Sequence, residues 1–175
     1  MSKFINPASV IAQTGLMAGQ VVADLGCGSG FYVVPAAQMV GPEGTVYAVD
    51  VVESKLAATV SIANQFGHKN IRVVRADLMK PLSDISESSC DLVIVGNILH
   101  EIPSTEILIK NVYRILKSGG RIVAVEWKKE LTPLGPPIEK RLNQQSLEVK
   151  LMGVGLRKLK DLEVDGFHYA ILFEK

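Results

Sequence analysis

The sequence predicts one doubly wound α/β domain, built on a Rossmann-like, seven-stranded sheet that is mostly parallel with an antiparallel C-terminal strand. Three observations carry that prediction. Short apolar runs alternate with helical apolar patterns over the first 127 residues; three successive runs deliver a carboxylate, at Asp24, Asp50 and Asp77; and two strand-like segments close the chain with only Asp165-Gly166 between them. Strand and helix in alternation mean parallel pairing with right-handed crossovers. A connection as tight as Asp165-Gly166 makes its two strands antiparallel. At 175 residues there is room for one domain with a sizeable core, so the expected domain is 1–175.

The elements follow in order. Asn6 caps and Pro7 opens a helix carrying Ala8, Val10, Ile11 and Leu16, within an opening segment 1–17. Strand one ends Val21-Val-Ala-Asp-Leu25. A helix over 31–40 tolerates Pro35 near its start and is ended by Gly41-Pro-Glu-Gly44. Thr45-Val-Tyr-Ala-Val-Asp50 is the second strand, a helix over 53–66 stops at Gly67, and Ile71-Arg-Val-Val-Arg75 is the third strand. After a strand at Asp91-Leu-Val-Ile-Val-Gly-Asn97, Ser104 caps a helix whose stripe is Leu108, Val112, Ile115 and Leu116, with Lys117 in its last turn and Gly119 beyond. Glu126 and Trp127 end the fifth strand. Thr132-Pro-Leu-Gly-Pro-Pro137 is too rich in proline for regular structure. A helix over 139–152 and strands over 156–164 and 167–174 complete the chain.

Bulk properties narrow the function. A net charge of +1 does not suggest a partner dominated by phosphates, so nucleic acid is a poor candidate. The two cysteines, Cys27 and Cys90, form neither a metal-ligand spacing nor a disulfide framework, which fits a reducing, cytoplasmic setting. No apolar run approaches the ~20 residues that span a bilayer, and the opening residues lack the pattern of a secretion signal. The expectation is a soluble protein.

The most informative stretch is Val21-Val-Ala-Asp-Leu-Gly-Cys-Gly-Ser-Gly30, a buried strand that runs through a carboxylate into a glycine-rich turn and a helix. Such a turn lets backbone approach a nucleotide-like ligand with no Cβ in the way. Asp24 decides the ligand's charge. A dinucleotide would bring its pyrophosphate beside that carboxylate, and like charges at about 6 Å and an effective dielectric of about 20 repel by roughly 3 kcal/mol. S-adenosylmethionine (SAM) instead brings an ammonium and a sulfonium. Gly26, Gly28 and Gly30 read G-x-G-x-G, whereas dinucleotide sites read G-x-G-x-x-G. Asp50 falls twenty residues after Gly30, where a carboxylate can accept both ribose hydroxyls. Its place at an exposed sheet edge predicts that losing it costs little in folding.

These residues, with the strand ending at Asn97 and Leu116-Lys-Ser-Gly-Gly-Arg-Ile-Val-Ala-Val-Glu126, resemble the class I SAM-dependent methyltransferases, closest to the type 11 branch that includes quinone-biosynthesis C-methyltransferases. The resemblance runs from about Ala18 to the C-terminus. It implies transfer of a methyl group from SAM to a small-molecule acceptor by in-line displacement, with the opening helix near the mouth of the site. It also implies that backbone at Gly26 and Asn97 receives the SAM ammonium, that Asp24 holds the loop or reaches the amine through a water, and that Val51 packs on the adenine. Asp77 would accept the exocyclic amine while Leu78 supplies a backbone donor. Alternatively Asp77 is only a turn aspartate.

Acceptor candidates are Tyr32, His100, Trp127 and Arg141. His100 titrates near neutrality and could take a proton from a hydroxyl, or only hydrogen-bond its loop. Trp127 is either a wall of the pocket or a core filler. Segment 128–141 resembles a substrate lid, and Arg141 there meets an acidic group or is a solvated helix arginine. Lys128, Lys129, Lys140, Arg141, Lys150, Arg157, Lys158 and Lys160 make the last third locally basic. No loop suited to gripping a flipped base, no placed nucleophilic cysteine and no convergent metal carboxylates are found. Closure over an acceptor then relies on the two short segments or on a second copy of the chain, a homodimer. An NAD(P)-dependent oxidoreductase and a SAM-binding protein without turnover are the alternatives.

Overall fold

The computed structural model describes residues 4–175. The chain runs α1 (Pro7–Ala12), β1 (Val21–Leu25), α2 (Val33–Val40), β2 (Thr45–Asp50), α3 (Glu53–Gln65), β3 (Ile71–Arg75), β4 (Cys90–Gly96), α4 (Thr105–Ile115), β5 (Leu116–Trp127), a 3-10 turn (Ile138–Lys140), α5 (Gln144–Gly153), β6 (Arg157–Leu162) and β7 (His168–Glu174). The sheet order is β3-β2-β1-β4-β5-β7-β6, with β7 antiparallel to both neighbours and the other pairings parallel. The doubly wound reading therefore holds.

Because side chains alternate along a strand, each strand feeds two cores. Val22, Ala48, Ile94, Val123 and Ala170 pack beneath α1 and α2 with Val10, Ile11, Val33 and Ala37. Ala23, Leu25, Val93, Val95, Ile122 and Ile171 pack beneath α4 and α5 with Leu108, Val112, Leu147 and Leu151. That alternation also sorts the last residues of each strand. Asp24 and Trp127 belong to the α1 side, whereas Glu126 belongs to the α4 side.

Several boundaries differ from the sequence reading. The Asn6 carboxamide does accept from Ser9 N, but α1 ends at Ala12 because Thr14 and Gly15 (φ 75°) turn the chain, so the opening segment is helical only in part. Met1 to Lys3 lie outside the described residues. Tyr32 stands before α2 instead of within it. Leu116 and Lys117 are not the last turn of α4: they begin β5, and the Lys117 ammonium lies 2.8 and 2.9 Å from the two Asp91 carboxylate oxygens. The helix expected over 139–152 is broken, because Arg141 is extended and Asn143 caps a separate α5 by accepting from Ser146 N.

Candidate functional site

The carboxyl ends of β1, β2 and β4 meet at one edge of the sheet. Beyond β1, the amides of Gly26 and Cys27 both donate to Val49 O, pinning the glycine turn to β2. Gly26 has φ +79° and a Cβ there would sit 2.7 Å from Ile98, so both conformation and space demand glycine. Gly28 and Gly30 are also left-handed. Asp50 is buried, with one carboxylate oxygen accepting from Gly28 N and the other from Val52 N, both at 2.9 Å. The expectation of an exposed, structurally dispensable Asp50 is therefore corrected: its carboxylate ties the glycine turn to the start of α3.

Three buried polar atoms at this edge have no hydrogen-bond partner among the described residues: Asp24 Oδ2, Tyr32 Oη and Asn97 Oδ1. Burial, then the nearby Asp50 charge, pushes the Asp24 carboxyl up to about 8. Burial, helped by Asp24, Asp165 and Glu126, also raises the Tyr32 phenol. The ring of Tyr32 fits because residue 96 is glycine; a Cβ there would lie 2.5 Å from it. Cys27, pushed up to about 12 by burial and the two carboxylates, is no thiolate.

At the same edge of the sheet runs a groove of about 190 Å³ lined by Gly26, Asp50, Val51, Asp77, Leu78 and Ile98, among others. It brings together the residues expected around an adenosine. Val51 is exposed there, and Asp77 Oδ1 accepts from Met79 N at 2.9 Å, so this carboxylate also shapes its own turn. Ile98 and Glu101, which also line the groove, were not anticipated; their place depends on how the chain leaves β4 through Asn97, whose φ is 53°.

Two imidazole–carboxylate pairs flank Asn97. On the α4 side, fully buried Glu126 accepts from Leu99 N at 2.7 Å and lies 2.8 Å from His100 Nδ1, which raises the imidazole above its ordinary value against the opposing effect of burial. On the α1 side, Asp165 Oδ1 and Oδ2 lie 2.8 and 2.9 Å from His168 Nδ1. Burial alone would raise Asp165, yet hydrogen bonds from the His168 ring and from the Phe167 and His168 amides hold it below the usual carboxylate range. With Nδ1–H given to Asp165 and Nε2 as the acceptor, the His168 ring takes a hydrogen bond from Asn97 Nδ2 at 3.4 Å. That choice leaves Asn97 Oδ1 facing away from His168 as a free acceptor.

The acceptor-side candidates separate. His100 borders a second cavity, of about 500 Å³, on the α4 side. Trp127 is half-buried, with the His168 ring centroid 4.1 Å from its own and Gly135 packed against it. Arg141 is neither solvated nor open to an acidic substrate. It is buried, and its guanidinium donates to the carbonyls of Lys128, Glu130, Leu134 and Pro136 and to Thr132 Oγ1. It also lies 5.4 Å from the Trp127 ring centre. Asp165 and His168 were missed by the sequence reading, although a carboxylate three residues before a histidine at a strand start was there to notice. Their meeting with Asn97 and Trp127 follows from the β5–β7 register, which sets His168 opposite Trp127.

Comparisons with known proteins bear on this geometry. The model of a family described as a methyltransferase domain matches residues 16–160. The demethylmenaquinone methyltransferase of Lactococcus lactis is 28% identical over 127 residues, 73% of this chain and 50% of that protein. That of Lactobacillus johnsonii is 29% identical, over 89% of this chain and 70% of that protein. The chain thus spans about half the length of the first of these relatives. A crystal structure of a SAM-dependent methyltransferase from Aquifex aeolicus superposes with a TM-score of 0.89 at 27% identity, covering 98% of this chain and 90% of that one.

Proposed function

Because this chain belongs to the methyltransferase-domain family, we propose that it moves a methyl group from SAM to a small-molecule acceptor. The observation that carries this reading is the trio of unpartnered buried atoms on Asp24, Tyr32 and Asn97. All three can accept a hydrogen bond, one belongs to a carboxyl, and leaving such groups unpaired in a protein interior costs about 1–3 kcal/mol each. A cationic donor suits all three, whereas a pyrophosphate, which only accepts, leaves Asn97 Oδ1 unpaired and repels an ionised Asp24. The comparisons likewise give no support to an oxidoreductase.

When bound, SAM supplies an electrophilic methyl group on a sulfonium. The residues do the rest. Asp24 and the Gly26 and Asn97 backbone take the ammonium end, and Asp50, whose oxygens each keep a second lone pair, takes the ribose hydroxyls. Val51, Asp77, Leu78 and Ile98 frame the base. Charge is dispersed in this displacement, so positioning supplies much of the rate. His100, with Nδ1 held by Glu126, presents Nε2 as the base for an acceptor that must lose a proton. Trp127 and Tyr32 close the α1 side of the site through packing. Arg141 serves that side indirectly, by fixing segment 128–141 over Trp127.

The relatives that carry the name demethylmenaquinone methyltransferase favour a ring-bearing acceptor for this chain as well. The deciding experiment is calorimetric titration with SAM, S-adenosylhomocysteine and NAD, followed by radiolabelled SAM with a metabolite extract. Binding of the first two and label in a small-molecule product are expected. Binding of NAD alone, or label only in tRNA or protein, would overturn the reading.

A further inference from the structure

The 500 Å³ cavity lies across Ile102 from the Asp50 groove, between the loop after β4 and the α5 side of the domain. Its size falls within the roughly 300–1,000 Å³ of small-ligand sites. Its floor is apolar, built by Leu99, Ile109, Leu142 and Val154, while His100, Lys140 and Lys150 stand around it. The two ammonium groups are not neutralised. Among the described residues Lys140 Nζ has no hydrogen-bond or ion-pair partner, and Lys150 Nζ only donates to the hydroxyl of Thr105 at 3.0 Å. The acid that also lines the cavity, Glu106, is occupied by Lys110 at 2.7 Å.

The cations at this cavity lack a counter-charge among the described residues. Thr105 is the first residue of α4, so Lys150 sets a cation against the positive end of a helix, the reverse of the stabilising placement. Lys140 adds a second positive charge and His100 a third when protonated. An anion seated in the cavity would give these cations a counter-charge, and the apolar floor calls for a hydrophobic body attached to it.

We propose that this cavity is the acceptor subsite and that it takes an apolar ring carrying a carboxylate or phosphate, held by Lys140 and Lys150. The word acceptor rests on the methyl-transfer reading; the binding itself does not. This assigns the basic character of the last third of the chain, in part, to ligand recognition.

The test uses 2-naphthoate, 2-naphthyl phosphate and the neutral 2-naphthylmethanol as probes in calorimetry on the whole chain, with and without SAM. At least one anion is expected to bind one to one, tenfold or more tighter than the neutral probe, and the comparison of the two anions tells carboxylate from phosphate. Lys140→Glu and Lys150→Glu should each weaken the anion at least fivefold while leaving the neutral probe within twofold. Val154→Trp, which fills the floor, should weaken all three. Equal affinity for charged and neutral probes, or charge reversals without effect in protein whose melting is unchanged, would overturn the proposal. Failure of SAM to bind in its own titration would sink the methyl-transfer reading and leave the probe result standing, so the two failures are distinguishable.

Discussion

A buried carboxyl with an unpartnered oxygen is the residue on which the cofactor reading turns. Asp24 is 1% exposed, and its ionisation is opposed by burial and then by Asp50. A cationic ligand binds the ionised form, so below about pH 8 binding must first expel a proton. SAM affinity should therefore rise with pH by up to about tenfold per pH unit and flatten above the Asp24 value. Titrations at pH 6, 7, 8 and 9 check this, and Asp24→Asn should abolish the slope and weaken binding at the high end. Asp50 behaves differently from the expectation for an exposed strand end. Because it accepts from Gly28 N and Val52 N, Asp50→Ala should cost both SAM affinity, by about 1.5–3 kcal/mol, and folding stability, by about 1–3 kcal/mol. Denaturant melts on the ligand-free protein separate the two, and an unchanged midpoint would contradict the structural role. The strand-end carboxylates were legible in the sequence because a strand end and a glycine turn are local patterns. Their hydrogen-bond partners were not, since Gly28 and Asp50 meet only once β1 and β2 are in register. The same holds for His168, whose meeting with Asn97 joins residues 71 positions apart.

Segment 128–141 shows how an element without regular structure is held in place. Its prolines signal an irregular path, and that much was readable. What fixes it is Arg141, whose guanidinium gathers carbonyls from Lys128, Glu130, Leu134 and Pro136. A lone arginine in a basic stretch gives no sequence signal of such a role, because its acceptors are backbone atoms common to every residue. Lys128 N further bonds Phe167 O, so the segment is joined to the turn before β7 and, through it, to His168. Arg141→Lys keeps the charge but loses the fork that reaches several carbonyls at once. It should raise the rate of proteolysis within 128–137 several-fold and raise KM for the acceptor more than it lowers SAM affinity. Equal proteolysis of variant and parent would show that the arginine does not hold the segment. At the α4–β5 junction the sequence misled for a related reason. Leu116 continues the helical stripe, but β5 recruits it, and pairing of Leu116 with Cys90 at the sheet's lower end outweighs one more helical turn.

For the whole molecule, proton binding, ligand binding and folding are linked. In the ligand-free protein the Asp24 carboxyl keeps its proton up to about pH 8, whereas the unfolded chain releases it near 3.8. Between those values the folded state holds more protons, so stability falls as pH rises, by at most roughly 1.4 kcal/mol per pH unit from this group. His100, raised by the Glu126 hydrogen bond, acts in the same direction, since its stabilising contribution is present at low pH and lost as pH rises through its folded value. The groups held low, Asp165 and Glu106, matter only at more acid pH, where stability falls as they are protonated. From pH 6 to 8 the ligand-free Tm should therefore drop by about 3–5 °C per pH unit, at 2–4 °C per kcal/mol for a chain of this size. A bound cation gives Asp24 a partner and removes its reason to hold a proton. With SAM at about 100 times its Kd, stability should gain about 2.7 kcal/mol, or roughly 5–11 °C, near pH 8 and less at pH 6. Thermal melts at pH 6, 7 and 8, with and without SAM, should then show curves that diverge as pH rises. Parallel curves, or the same ligand-free slope in Asp24→Asn, would mean that the buried carboxyl is not the group through which this molecule couples cofactor binding to its own stability.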